Sequence, residues 1–314
     1  MSQIRTIRKE YKPFKYQWSF DLMKEQQHAH WLADEVGDLT RDCNEFKLHA
    51  KPHELHGIEF LLASFVAYES EVECYWIGRM WPRFKAPELR GLFTTIGASE
   101  HVHIEGYDKF LTAWGSDLSK YKQFFEDPTF KERRALIDQA LMGENDIQSI
   151  ATMALIEGVA LFAQFAYLQS FVKHGLLMQL DNLIEWSSRD EGSIHLRAAA
   201  GIYSELEREG ECLDRNWWFN QCHIFFQQEM LIVDEMFKYG NPRGITKKDL
   251  IEFIKHRVNY VSEWLGFDPV FEIENIIVQD EFYKDHHVPV DRDKFSSRNT
   301  EYSKGLDFSN VWAY

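Results

Sequence analysis

The sequence is poor in cysteine and in basic residues, and each scarcity limits what the protein can be. The four cysteines among 314 residues show no C-x-x-C spacing. They are therefore read as reduced thiols of a cytosolic protein, not a disulfide framework or a zinc site. Lys and Arg number 35 against 50 Asp and Glu, a net charge of −15, which argues against binding nucleic acid through its phosphates. The N-terminus shows no apolar h-region, so we expect no secretory signal and a cytoplasmic protein.

Proline is also sparse, and none occurs between residues 129 and 241. Because proline interrupts helices, this gap leaves room for several long ones. Apolar residues recur mainly at helical spacing in 55–80, 91–115, 133–172, 175–206 and 213–238. The pattern predicts an all-α protein with an N-terminal arm over 1–18, a helical domain over 19–284 and a flexible polar tail over 285–314.

One apolar stretch, 150–172, is long enough to span a bilayer. Glu157 and Gln164 interrupt it. A carboxylate in such a setting is costly unless it is paired or bound to a metal. We therefore predict a buried core helix that presents Glu157 to a metal, and no membrane partner.

Glutamate and histidine recur in a pattern that predicts a centre for two metal ions. Glu69 is followed 31 residues later by Glu100-x-x-His103, and Glu157 is followed 34 residues later by Glu191-x-x-x-His195. Residues three or four apart share a helical face. A ferritin-like bundle holds di-iron or di-manganese with one carboxylate from each of two helices and a Glu-x-x-His pair from each of two others. The predicted ligands are Glu69, Glu100, His103, Glu157, Glu191 and His195.

Some assignments within this pattern stay open at the level of sequence. Glu71 and Glu73 compete with Glu69 for the role of first ligand. The pair ending at His195 is one residue longer than Glu-x-x-His. A π-bulge can absorb one extra residue in a helix; the alternative is that the pairing shifts and this histidine coordinates poorly.

Five segments resemble the small, radical-generating subunit of class I ribonucleotide reductase, a member of the ferritin-like superfamily. They are HWLADEVGDLTRD (30–42), EHVHIEGY (100–107), IEGVALFAQFA (156–166), SRDEGSIH (188–195) and RNTEYSK (298–304). The resemblance covers the chain from about Tyr16 to Tyr302. It implies a ferritin-like helical bundle with extra helices and a dimetal site in its core. The spacing from Glu69 to the helix start at Pro87 fits the pattern of this family, and the resemblance therefore favours Glu69 as the first ligand.

The resemblance also implies a mechanism and partners. Two metal ions, iron, manganese or one of each, would activate an oxygen species and oxidise Tyr107 to a stored radical. Trp31, Asp190 and His103 would form the path to the metal site, and Tyr302 would relay the oxidising equivalent to a large subunit that reduces ribonucleotides to deoxyribonucleotides. The resemblance further implies a homodimer that docks the large subunit through its C-terminal tail, and it allows a flavoprotein activase.

The chain departs from the family pattern around the metals and the radical. Glu69 stands where the best-known members carry Asp, which leaves the metal identity open. Leu161 and Ser187 stand where bulky apolar residues are usual beside the radical, whereas Phe165 keeps the family's aromatic residue. A more polar pocket is expected to shorten the life of a radical on Tyr107.

Two other functions fit a dimetal bundle. A stand-alone oxidase or oxygenase would need a cavity for an organic substrate beside the metals. A metal-storage protein would hold labile, superstoichiometric metal and need no partner. A relay tyrosine and an aromatic tail would be unexpected in either.

Overall fold

A computed structural model describes residues 3–62, 64–274, 278 and 282 of the protein. Within these residues the regular elements are all helical. The α-helices are α1 Gln17–His28, α2 Leu39–His49, α3 Pro52–Leu62, α4 Phe65–Cys74, α5 Trp81–Arg83, α6 Pro87–Trp114, α7 Lys120–Glu126, α8 Lys131–Met142, α9 Asp146–Leu155, α10 Phe162–Val172, α11 Leu180–Arg189, α12 Leu196–Arg208, α13 Arg215–Met236 and α14 Lys247–Trp264. The prediction of an all-α fold is confirmed.

Three π-helical segments interrupt this series, and each joins two α-helices. They are Tyr75–Met80 between α4 and α5, Ile156–Ala160 between α9 and α10, and Asp190–His195 between α11 and α12. A π-helix closes i→i+5 hydrogen bonds and is frequent at functional sites. Two of the segments carry predicted metal ligands.

The 28-residue helix α6 shows how the sequence builds the core. It begins with Pro87 at its first turn and ends at Gly115, whose φ of 76° is the left-handed conformation that terminates helices. Its buried residues recur every three or four positions, and this single stripe includes Glu100, His103 and Tyr107. The face of the helix that packs into the core therefore carries these three polar side chains as well as the apolar ones.

The core is formed where α6 packs on α4 and α9 packs on α12. The π-helices Ile156–Ala160 and Asp190–His195, in the second half of the chain, also contact each other there. Outside this layer, α1 and α2 cover α6, α8 covers α9, and α13 and α14 pack together on the second half. Side chains on the inner helices therefore point toward one another inside a closed bundle.

The apolar stretch of the second half lies inside this bundle. Among the described residues, Asp146–Val172 is long and apolar enough to cross a membrane, but its most apolar window is wholly buried. It comprises α9, the π-helix at Ile156–Ala160 and α10. The prediction of a core helix is confirmed, with a π-turn at Glu157 that the sequence analysis did not anticipate. The proposed domain limits stay predictions, and the tail over 285–314 lies outside the described residues.

Candidate metal centre

The six predicted ligands converge in the core as two groups of three. Glu69, His103 and Glu191 form one group. Glu100, Glu157 and His195 form the other, and in each group the ligand atoms lie within 4.8 Å of one another. All six side chains are buried. Each group offers two carboxylates and one imidazole, a donor set that suits iron or manganese.

Glu100 lies between the two groups and contacts both histidines. Its Oε1 lies 2.8 Å from Nδ1 of His195, and its Oε2 lies 3.2 Å from Nδ1 of His103. With one oxygen toward each imidazole, Glu100 would be available to a metal ion held by either group. Glu157 Oε2 lies 3.4 Å from His195 Nδ1, and Glu191 Oε1 lies 3.7 Å from His103 Nδ1.

The extra residue between Glu191 and His195 is accommodated by a π-helix, one of the two possibilities that the sequence left open. Asp190–His195 is π-helical, and a turn of π-helix contains more than four residues. Residues four apart can therefore share a face. His195 lies in the cluster with Glu100 and Glu157, and its coordination of a metal stays a prediction.

Side chains from neighbouring helices hold the other ligand-bearing π-helix. The hydroxyl of Tyr68 donates to the carbonyl of Ile156 at 3.0 Å, and Nε of Arg257 donates to the carbonyl of Gly158 at 2.7 Å. These carbonyls flank Glu157. Buried backbone groups need partners, so α4 and α14 stabilise the widened turn that presents this ligand.

The charges of the cluster are strongly coupled. Burial raises the pKa of Glu69 to about 8 and raises that of Glu191 well above its usual value. Burial acts against the charged form of His195, but the carboxylates of Glu100 and Glu157 outweigh it and raise its pKa to about 10. The pKa of His103 is likewise raised well above 6.5 by its carboxylate neighbours, despite burial.

Several buried ligand atoms have no hydrogen-bond partner among the described residues. They include Oε1 of Glu69, both oxygens of Glu100, Oε1 of Glu191, and Nδ1 of His103 and His195. Unsatisfied buried polar atoms are costly and rare in native proteins. These carboxylate oxygens and imidazole nitrogens lie together at one point, which fits a site that binds two metal ions.

Asp190 connects His103 of the cluster to side chains outside it. Its Oδ2 lies 3.3 Å from Nε2 of His103 and accepts hydrogen bonds from Trp31 Nε1 at 2.9 Å and from Ser99 Oγ at 3.2 Å. Arg189 donates to Oδ1 at 3.0 Å. Despite burial, these partners hold the pKa of Asp190 well below its usual range. The anion orients the ring of His103 with Nδ1 toward the other ligands.

Tyr107 is buried beside the cluster. Its ring stacks on Phe65 at a centroid distance of 4.6 Å and an angle of 10°, and Phe65 stacks in turn with Phe165 at 6.2 Å. Burial, together with Glu191 and Glu69, raises the pKa of Tyr107 well above 10. The phenol therefore keeps its proton in an apolar setting next to the ligands.

The structure also separates the ligands from their competitors. Glu71 and Glu73 are partly exposed and lie outside both groups, and His101 is an exposed residue 3.5 Å from Glu73. Tyr302, the predicted relay residue, lies outside the described residues. Trp31 is placed as predicted, in contact with Asp190 and stacked on His103 at 5.6 Å.

Sequence reasoning missed three side chains that support the ligands. Trp76 donates its indole N–H to Glu157 Oε1 at 2.6 Å, and Ser99 and Arg189 bind Asp190. Trp76 lies seven residues after Glu69, two helical turns along one face, which is the signal that could have found it. Ser99 and Arg189 each adjoin a predicted site residue, but adjacency alone predicts no contact.

This fold and this site define a ferritin-like protein with a dimetal-carboxylate centre. The family model described as "Ribonucleotide reductase, small chain" matches residues 8–277. The chain therefore belongs to the ribonucleotide reductase small-chain family, and the resemblance inferred from the sequence is confirmed.

Individual relatives are distant in sequence and similar in fold. A probable ribonucleoside-diphosphate reductase small subunit of Invertebrate iridescent virus 3 is 24% identical over 96% of this chain and 86% of its own length. The Homo sapiens ribonucleoside-diphosphate reductase subunit M2 is 27% identical over 84% of this chain and 67% of its own. Among solved structures, a putative class I ribonucleotide reductase from Bacillus halodurans aligns with a TM-score of 0.77 at 17% identity, covering 86% of this chain and 99% of that one. The dimanganese(II)-NrdF of Streptococcus sanguinis aligns with a TM-score of 0.75 at 13% identity, covering 88% and 99%.

Proposed function

We propose that this chain is the radical-generating subunit of a class I ribonucleotide reductase and that Tyr107 holds the radical. The observation that carries the proposal is the position of Tyr107, a buried phenol stacked on the ring of Phe65 beside six convergent candidate ligands. The apolar rings exclude water, which would otherwise reach the oxidised side chain. Family membership supports the reductase reaction over a stand-alone oxidase or a storage protein.

Each ligand has a proposed role in holding the metals. Glu69, His103 and Glu191 would hold one ion, Glu157 and His195 the other, and Glu100 would bridge them. When bound, the metals would supply the redox chemistry that activates an oxygen species. Iron, manganese or a mixed pair all suit these donors.

Oxidation of Tyr107 to a neutral radical removes one electron and the hydroxyl proton. After burial, the charged groups that most raise the pKa of this phenol are Glu191 and Glu69. The electron and the proton would both leave toward the metal centre to which these carboxylates belong. The protein thus supplies a dry pocket at the residue that is oxidised.

Trp31, Asp190 and His103 are proposed as the path along which the oxidising equivalent leaves. The indole N–H, the carboxylate and the imidazole are joined at 2.9 and 3.3 Å, so a proton can shift along the chain as an electron moves. Tyr302 and the tail over 285–314 would carry the equivalent to a cysteine of the large subunit. That subunit would reduce ribonucleotides in the form of diphosphates, the substrates for which the viral and human relatives are named. We further propose a cytoplasmic homodimer, with a flavoprotein activase where manganese is used.

The test is low-temperature EPR on protein loaded with iron, manganese or both and exposed to oxygen, together with metal analysis. A tyrosyl signal is expected in the wild type and its loss in Tyr107→Phe. Tyr75→Phe is the matched control, because Tyr75 is another buried tyrosine, hydrogen-bonded to Ser149 instead of facing the ligands. A tyrosyl signal that survives in Tyr107→Phe would contradict the assignment, as would an EPR signal from the metals alone.

A further inference from the structure

Ser187 carries a buried hydroxyl on a helix that packs against the helix of Tyr107. Ser187 lies on α11 and Tyr107 on α6, and both side chains are almost fully buried. Burial raises the pKa of Tyr107, and the hydroxyl of Ser187 opposes that rise. It is the uncharged polar group among the main influences on this phenol, the others being glutamates of the metal cluster.

The hydroxyl of Ser187 is not engaged by its own helix. Serine in a helix commonly bonds back to a carbonyl of the preceding turn. Ser188 does so, donating to the carbonyl of Glu185 at 3.1 Å. Within the described part of the chain, Ser187 Oγ and Tyr107 Oη each lack a hydrogen-bond partner that meets full distance and angle criteria. Both buried hydroxyls are therefore available to form a hydrogen bond.

A close approach of two helices brings these hydroxyls together. Gly106 precedes Tyr107 on α6, and a Cβ added to it would lie 2.6 Å from Cδ1 of Leu183. Leu183 is one turn before Ser187 on the same face of α11. Because Gly106 has no side chain, α11 packs directly against α6 at this level, and Ser187 is the buried residue one turn after Leu183 on the same face.

We propose that Ser187 donates a hydrogen bond to the phenolic oxygen of Tyr107 and tunes the radical formed there. The inference deepens the proposed function and rests on it. A neutral phenoxyl radical has no proton, so it can only accept a hydrogen bond. The aromatic rings of Phe65 and Phe165 on this side of the pocket have no donor to offer. Ser187 is therefore a positioning residue that draws spin density away from the radical oxygen.

The experiment compares threonine and valine at position 187, since these side chains match in shape but only threonine has a hydroxyl. High-field EPR and proton ENDOR on oxygen-exposed, metal-loaded protein measure the largest g-value and any exchangeable proton coupled to the radical. We expect a coupling that disappears in D₂O in the wild type and in Ser187→Thr. It should be absent in Ser187→Val, whose largest g-value should rise. Ser188→Ala is the control, because that neighbouring hydroxyl bonds to its own helix.

A second measurement separates failure of this inference from failure of the proposed function. The infrared C–O stretch of Tyr107, isolated in metal-free protein as wild type minus Tyr107→Phe, is compared for threonine and valine at position 187. Equal g-values and couplings in the two variants would overturn the inference while leaving the radical on Tyr107. If no tyrosyl radical forms under any loading, the proposed function fails, and the infrared comparison alone decides whether Ser187 bonds to the phenol. Equal stretches in the two variants would then overturn that bond.

Discussion

Loading of the centre with metal should release several protons, and their number follows from the structure. In metal-free protein near pH 6.5, three groups hold protons. Glu69 does so because its pKa is about 8, His195 because its pKa is about 10, and His103 because its carboxylate neighbours raise its pKa well above 6.5 despite burial. Each must lose its proton to become a metal ligand. Binding of two divalent ions should therefore release about three protons, and more if burial, which raises the pKa of Glu191, keeps that carboxyl protonated as well.

The size of the effect can be measured by its dependence on pH. If about three protons leave, the logarithm of the product of the two affinity constants rises by about 3 for each pH unit near pH 6.5. Above pH 8, Glu69 has lost its proton before the metal binds, so the slope should fall by about 1. Affinity therefore increases with pH and flattens as each group titrates.

The assay is anaerobic calorimetry with Mn²⁺ in buffers of different ionisation enthalpy, which gives the number of protons released directly. Tyr107→Phe is the matched control and should release the same number, because the pKa of Tyr107 lies well above 10 and its proton stays in place. Release of fewer than about two protons at pH 6.5 would refute the reasoning, since the ligands would then be ionised before metal arrives.

Three further predictions concern the supporting structure. Trp76→Phe removes the indole donor to Glu157 and should lower the free energy of unfolding of metal-free protein by about 1–3 kcal/mol in urea titrations; an unchanged midpoint would show that this bond contributes nothing. Glu54→Gln weakens the pair with Arg243 that, despite burial, lowers the pKa of Glu54 to about 2, so about 2 kcal/mol should be lost at pH 7. The wild-type advantage should be full above pH 4.5 and disappear as pH falls toward 2, and a pH-independent difference would contradict the assignment. Gly106→Ala should force α11 away from α6 and lower the thermal midpoint, whereas Ala at Gly115 tests only its positive φ.

Much of the fold could be predicted because one periodicity serves two purposes. The stripe that buries α6 is also the stripe that carries Glu100 and His103, so hydrophobic spacing and ligand spacing reinforce each other. The same holds for Glu157, whose polar character conflicts with its apolar surroundings unless it binds something. A contradiction of this kind is visible in sequence, and the residues to which it pointed lie together in one buried cluster.

The supporting side chains were harder to predict, because their partners depend on how helices distant in sequence are packed. The hydrogen bond from Trp76 to Glu157 spans 81 positions, and that from Trp31 to Asp190 spans 159. Local periodicity can place Trp76 on the same helical face as Glu69, but it carries no information on which distant residue Trp76 contacts. For Trp31 the family resemblance supplied the missing information.

The π-helices divide the centre into two walls of different stiffness. Glu100 and His103 lie in the middle of the regular helix α6, where every turn is fixed by the turns on either side. Glu157 and Glu191 lie on widened turns with longer hydrogen-bonded loops. Such a centre can adjust the positions of its ligands on the π-helical side but not on the side of α6. If ions of different radius occupy it, we expect the second-half carboxylates to move and the α6 ligands to stay, so that Tyr107, which α6 also carries, keeps its position whichever metal is bound.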